Sequence, residues 1–185
     1  MNIITTGNRI HLCKPSVDLC ASVLEAILES QNELAEYLPW VESSLTEQST
    51  FNNMLRAIES FDNFQDELRM AIVDKITGRF LGMTGLIIHD QSIPYFEIGY
   101  WLRTSEVGQG YIAEAVKIVE DYAFNELKAL RVEIKAAQSN SKSIAVAKRC
   151  GFKFEALLEH NRRLPNGKID GTVIYRKLAN EYREQ

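Results

Sequence analysis

The apolar positions of this chain change period several times, and each change marks an element. From Arg9 to Cys13 polar and apolar side chains alternate and the run closes at Lys14-Pro15, which predicts a short strand. Ser16 then offers an N-cap, and Val17, Cys20, Val23, Leu24, Ile27 and Leu28 recur at helical spacing until the pattern fades near Tyr37-Leu38-Pro39-Trp40. A second helix is predicted from about Thr46, with Phe51, Met54, Leu55 and Ile58 as its stripe, followed by a loop over Asp62 to Asp66. The period then drops to two. Leu68 to Val73 and Arg79 to His89 are rich in strand formers and flank Asp74-Lys75-Ile76-Thr77-Gly78, the signature of a hairpin. After a turn at Asp90 to Ser92, Tyr95 to Leu102 makes a third consecutive antiparallel strand.

A long amphipathic helix is predicted from Gly108 to about Leu127, carrying Ile112, Ala115, Val116, Val119, Tyr122, Ala123 and Leu127 on one side. Arg131 to Ala137 alternates as a strand, Ser141 to Arg149 reads as a short helix, and Gly151 is its natural C-terminal stop. Two final strands, around Phe154 to Glu159 and Ile169 to Leu178, are joined through Pro165-Asn166-Gly167. No repeat, low-complexity tract or linker divides the chain, so residues 1–185 are expected to form a single α/β domain with a mixed, mostly antiparallel sheet.

Composition narrows the function. A core of ordinary size is available to 185 residues of which 45% are hydrophobic. The net charge of -4 argues against direct nucleic-acid binding through a basic surface. Cys13, Cys20 and Cys150 are far apart and show no metal-ligand spacing, and His11, His89 and His160 are equally scattered, so neither disulfide nor metal is expected. The polar start, Met1 to Arg9, lacks the order of a signal peptide, and no apolar run approaches a membrane span. The expectation is a cytoplasmic protein, monomer or homodimer.

The chemistry begins where the strand Glu97-Ile98-Gly99-Tyr100-Trp101-Leu102 runs through Arg103 and a short link into Gly108-Gln109-Gly110-Tyr111-Ile112. The first turn of a helix presents N–H groups without intrahelical partners at the positive end of the macrodipole, and glycines clear the approach for an anion. A plain tight turn is the other reading of two glycines. About thirty residues on stands Asn140-Ser141-Lys142-Ser143, with Gly151-Phe152 closing the helix.

Together these motifs resemble those of the GCN5-related N-acetyltransferases (GNAT). The Arg9-Ile10-x-Leu12-x-x-Pro15 pattern, Pro39-Trp40, the Glu97 to Leu102 strand and Asn166-Gly167 followed by Tyr175 resemble the branch that acetylates ribosomal-protein alanine and serine termini. The resemblance implies about seven strands and about four helices, with the fourth and fifth strands splayed to leave a cleft for acetyl-CoA. It further implies that Val107, Gly108, Gln109, Gly110, Tyr111 and Ile112 hold the pyrophosphate, that Trp101, Leu102 and Arg103 lie along the pantetheine arm, and that Asn140 and Ser143 contact the cofactor. For Trp101 a core position, and for Asn140 a helix N-cap, are equal alternatives.

Acetyl transfer requires a neutral amine, a stabilised oxyanion and a proton for the departing thiolate. Many relatives draw that proton from a tyrosine at the position occupied here by Ala147, so Ser143 becomes the candidate at the sulfur, against a packing role. Glu97 is the candidate base, against a surface glutamate; it shares a strand face with Tyr95, Gly99 and Trp101. A second carboxylate position of the family falls among Asn161, Arg162 and Arg163, where only Glu159 is near. His160, Arg162 and Arg163 are candidates for the acceptor mouth, and Ser105 replaces a longer polar residue usual before the glycines.

The implied function is acetyl-CoA-dependent N-acetylation of a protein N-terminus, such as that of a ribosomal protein. A small amine acceptor (polyamine, amino acid or antibiotic) and a non-catalytic acyl-CoA-binding regulatory domain are the alternatives.

Overall fold

The computed structural model describes residues 2–184. Eight strands form one open sheet: β1 (Ile3–Thr6), β2 (Ile10–Cys13), β3 (Glu67–Asp74), β4 (Phe80–Ile88), β5 (Tyr95–Leu102), β6 (Arg131–Ala137), β7 (Lys153–Arg163) and β8 (Ile169–Leu178). Their spatial order is β1-β2-β3-β4-β5-β6-β8-β7. Six helices accompany them: α1 (Cys20–Glu29), α2 (Gln31–Ala35), α3 (Glu47–Asn63), α4 (Tyr111–Asn125), α5 (Ser141–Arg149) and α6 (Ala179–Arg183).

Two apolar clusters sandwich the sheet. On one face Val23, Ala26 and Ile27 of α1 and Met54 of α3 pack on Ala71, Val73 and Met83. On the other, Ala115, Val116 and Val119 of α4 and Ala147 of α5 pack on Met70, Leu86, Phe96, Ile98 and Ile134. The period-two expectation for β5 therefore holds: Phe96 and Ile98 enter the α4 side, while Trp101 packs on the α1 side.

All neighbouring strands are antiparallel except β5 and β6, which pair in parallel at Tyr95↔Arg131, Phe96↔Val132 and Glu97↔Glu133. Beyond that point they separate. β5 remains paired with β4 as far as Gly82↔Leu102, and β6 with β8 as far as Ala137↔Thr172. This is the splay expected for the fourth and fifth strands, which become the fifth and sixth because β1 adds to the sheet edge.

Several boundaries differ from expectation for identifiable reasons. β1 and the five-residue helices α2 and α6 enlarge the expected set. Thr46 does cap α3, its hydroxyl accepting from the Ser49 N–H in a capping box. The buried line of α3 is Thr50, Met54 and Ala57, whereas Phe51 and Leu55 of the expected stripe are exposed. α4 begins at Tyr111 because Gly108 and Gly110 have φ of +90° and +83°, outside the helical basin.

Arg103 is the strongest correction to the expected cofactor set. Its side chain is buried, not directed into the cleft: Nε donates to Glu29 Oε2 at 2.9 Å, Nη2 reaches Glu25 and Glu29, and Nη1 donates to the Phe80 carbonyl at 3.2 Å. It fastens α1 to the end of β5. Burial opposes a charge on Glu29, but hydrogen bonds from Arg103 and Ser105 outweigh it and hold that carboxyl down to about 2. Because the folded state binds this proton more weakly than the unfolded chain, the stabilisation is complete above the ordinary carboxylate value and fades as pH falls towards 2. Arg103→Gln is expected to cost about 3 kcal/mol in urea unfolding at neutral pH. The deficit relative to the parent protein should shrink when the titration is repeated near pH 3.

Candidate active site

The gap between β5 and β6 opens into a cleft of about 1070 Å³ that extends from Gly108, Gly110 and Tyr111 to a lobe beneath α1 and α3. At its first end Gly110 caps α4 without any side-chain hydrogen bond. A Cβ placed on Gly108 would meet no heavy atom within 4 Å. The helix start is thus open to an approaching anion, as a phosphate cradle requires. Arg9 stands beside it, donating from Nη1 to the Gln109 carbonyl (2.9 Å), pairing with Glu114 and lying 4.5 Å over the Tyr111 ring. Gln109 itself does not line the cleft; its amide donates to Glu106 at 2.9 Å.

Midway, Trp101, Leu102, Val107 and Ile112 line the cleft. Trp101 is also packing, with its ring centroid 5.9 Å from Trp40 and 5.8 Å from Phe80. Across the gap, the Asn140 side chain accepts from the Ser143 N–H at 3.0 Å and so caps α5. That cap sets the first turn of α5, and with it Ser143, at the opening where β5 and β6 part.

The sequence did not single out Tyr100. Its hydroxyl lies 2.8 Å from Ser143 Oγ and 3.2 Å from the Ser143 carbonyl. Desolvation pushes the phenol up to about 12 despite the opposing Ser143 hydrogen bond, so Tyr100 keeps its proton at neutral pH. When the phenol donates to Ser143 Oγ, the serine proton is free to point elsewhere. A hydroxyl is therefore present behind Ser143 even though Ala147 is buried in the core and carries none.

On the α1 side of the sheet one row reads Glu67, Ile87, Glu97, Glu133 and Arg176 across β3, β4, β5, β6 and β8. Glu97 borders the cleft, but it is not a lone carboxylate among aromatic rings. Its Oε2 is 2.9 Å from His89 Nε2 and 3.1 Å from Lys135 Nζ. Lys135 also pairs with Glu133 at 2.7 Å, and Glu133 accepts from Tyr95 and Arg131. Burial disfavours the Lys135 charge, yet Glu133 and Glu97 overcome it and raise its pKa. His89, Glu97 and Glu133 have ligand atoms within 4.8 Å of one another, but the Lys135 ammonium already supplies the cation there.

Tyr37, after α2, donates to the Ser139 carbonyl at 3.3 Å and ties the helices of the α1 side to the loop before α5. Of the expected acceptor-mouth residues only Arg162 lines the cleft; Arg163 donates to the Gly167 carbonyl at 2.8 Å, and His160 sits in β7 with φ +52°. Glu159 is exposed and outside the cleft lining, while Ser105 contributes its N–H to Glu29 at 3.0 Å.

A sheet opened between two parallel strands, with a glycine helix start at one end of the gap, is the arrangement of an acetyltransferase (GNAT) domain, and that family matches residues 9–153. The chain belongs to the GNAT family and is an N-acetyltransferase. The uncharacterized N-acetyltransferase p20 of Bacillus licheniformis is 29% identical over 74% of this chain and 76% of its own length. The ribosomal-protein-serine acetyltransferase of Escherichia coli is 38% identical over 44% of this chain and 45% of its own. The solved structure of RimL, a ribosomal L7/L12 alpha-N-protein acetyltransferase in complex with coenzyme A, superimposes with a TM-score of 0.89 at 19% identity, covering 97% of this chain and 99% of that one. Among the described residues no helix is long and apolar enough to cross a membrane.

Proposed function

We propose that this enzyme transfers the acetyl group of acetyl-CoA to the N-terminal α-amine of a protein, a ribosomal protein being the acceptor favoured by the relatives. The observation that carries the reading is the continuity of one cleft from the Gly108 and Gly110 cradle to the Tyr100 and Ser143 hydroxyl pair at the strand split.

Acetyl-CoA supplies an activated thioester. The N–H groups around Val107 to Ile112 hold its phosphates, and the unpaired edge of β5 from Ile98 to Leu102 offers main-chain groups to an amide-bearing arm, as to an added strand. The neutral amine forms a C–N bond to the acetyl carbon as the C–S bond breaks. The proton lost from nitrogen passes through water to Glu97 and solvent. Ser143, with Tyr100 donating behind it, gives a hydrogen bond to the departing sulfur, and solvent completes its protonation. No strong base is needed: an α-amine of pKa about 7.7 to 8.0 is roughly a quarter to a third neutral near pH 7.5, a lysine only about one part in a thousand.

Gly108→Ala and Gly110→Val should each bind CoA at least about tenfold more weakly by calorimetry, a loss of about 1.4 kcal/mol; unchanged affinity removes the cradle from the site. Ser143→Ala and Tyr100→Phe should each lower kcat roughly ten- to hundredfold with KM for acetyl-CoA held within about twofold. The double variant should lose little more than either single one if the two hydroxyls act as a unit. With peptides beginning in Ser or Ala, kcat/KM should rise with pH and level off near 8 as the α-amine deprotonates. Inert peptides beside a reacting diamine would instead establish the small-amine acceptor.

A further inference from the structure

Three glycines lie within β4 and β5, and two have an evident steric reason. A Cβ on Gly82 would fall 2.2 Å from the Trp101 carbonyl oxygen, and one on Gly85 would fall 2.6 Å from that of Leu68. Gly99 has no such reason. Its backbone lies outside the positive-φ region, and an added Cβ would meet only Ile87 Cδ1 at 3.7 Å and Glu67 Oε1 at 3.9 Å, both ordinary contacts. Glycine weakens a strand interior, and where no protein atom demands it the position commonly marks close approach by a ligand.

The atom standing over that space is informative. Glu67, on β3, accepts at Oε2 from Arg69 Nε at 2.8 Å, whereas Oε1 has no hydrogen-bond partner among the described residues and is the oxygen facing Gly99. Glu67, Arg69, Gly99 and Glu97 all line the cleft, and Gly99 is the second residue past the last β5 to β6 pair. Arg69 fixes one carboxylate oxygen, as Lys135 and His89 engage one oxygen of Glu97. A carboxylate with one oxygen anchored and the other directed over a side-chain-free floor is a receptor for a small cation bearing N–H donors.

We propose that Gly99 and Glu67 Oε1 form the acceptor-ammonium pocket: the protonated amine of the acceptor docks on Glu67 above Gly99, next to the point where the strands part. The assignment rests on the acetyltransfer reading above and adds to it the group that selects a primary amine. The absence of a side chain on Gly99 leaves the floor beneath Glu67 Oε1 open to the incoming amine. Docking as an ammonium precedes reaction; the proton leaves before nitrogen attacks, towards the neighbouring Glu97.

The test measures binding without turnover. CoA-loaded protein is titrated by calorimetry with a hexapeptide bearing a free N-terminal serine and with its N-acetylated counterpart. The parent protein should bind the free amine at least about tenfold more tightly than the blocked peptide. Glu67→Gln, which removes the charge and preserves the shape, should abolish that preference while leaving CoA affinity unchanged, and Gly99→Ala, which fills the floor, should abolish the preference as well. Melting temperatures separate this from a structural role, because the Glu67–Arg69 pair is partly exposed and contributes little, and alanine is favoured over glycine in a strand. Equal binding of the two peptides by the parent protein, or an unchanged preference in either variant, overturns the pocket. Binding with the expected preference but no acetylation of the free peptide would overturn the catalytic reading and leave the pocket standing.

Discussion

The structure depends on where β5 and β6 stop pairing. Backbone N–H and C=O groups are seldom left without partners in a folded protein, so a strand edge exposed inside a domain is unusual. Here three register pairs join the strands, and the edge then opens along Ile98 to Leu102. The last pair is Glu97 with Glu133, two like charges placed directly across from each other, which alone would destabilise the contact. Lys135, reaching both carboxylates, with Arg131 and Tyr95 on Glu133, converts that repulsion into a joint. The cleft therefore begins at the position where the charge network ends.

Around that opening, each part of the cleft is delivered by a different element. The turn at Gly108 and Gly110 leaves the start of α4 without a side-chain cap, the Asn140 cap sets the start of α5, and β5 contributes its edge and both its faces. One face of β5 sends Tyr100 under Ser143; the other presents Glu97 and Gly99 beside Glu67. Arg103 closes the strand by anchoring it to α1, so its charge serves position and not ligand.

Main-chain features were the readable part of the sequence. Glycines at forced φ, the Asn140 cap, the hairpin at Asp74 to Gly78 and the alternation of β5 are local, and local signals survive folding. β1 escaped notice because four residues, exposed at both ends and only half-buried between, carry no period-two pattern. The α3 stripe was misplaced because small Thr50 and Ala57 face the core while the bulkier Phe51 and Leu55 face outward. What could not be read were side-chain meetings set by register and packing: Tyr100 with Ser143, Glu67 with Gly99, Arg103 with Glu25 and Glu29. In each, the partners lie tens of residues apart, and no spacing rule connects them.

The short parallel joint has a mechanical meaning. One ladder runs from β1 to β5 and another through β6, β8 and β7, and three rungs couple them. On the proposed pose, an acetyl donor lying along the free edge of β5 with its peptide-like groups would supply further rungs, and would act as a transient structural member of the sheet as well as a reactant. Its departure after each turnover would leave the two ladders joined by those three rungs alone, so that part of the sheet's cohesion would rise and fall with the catalytic cycle.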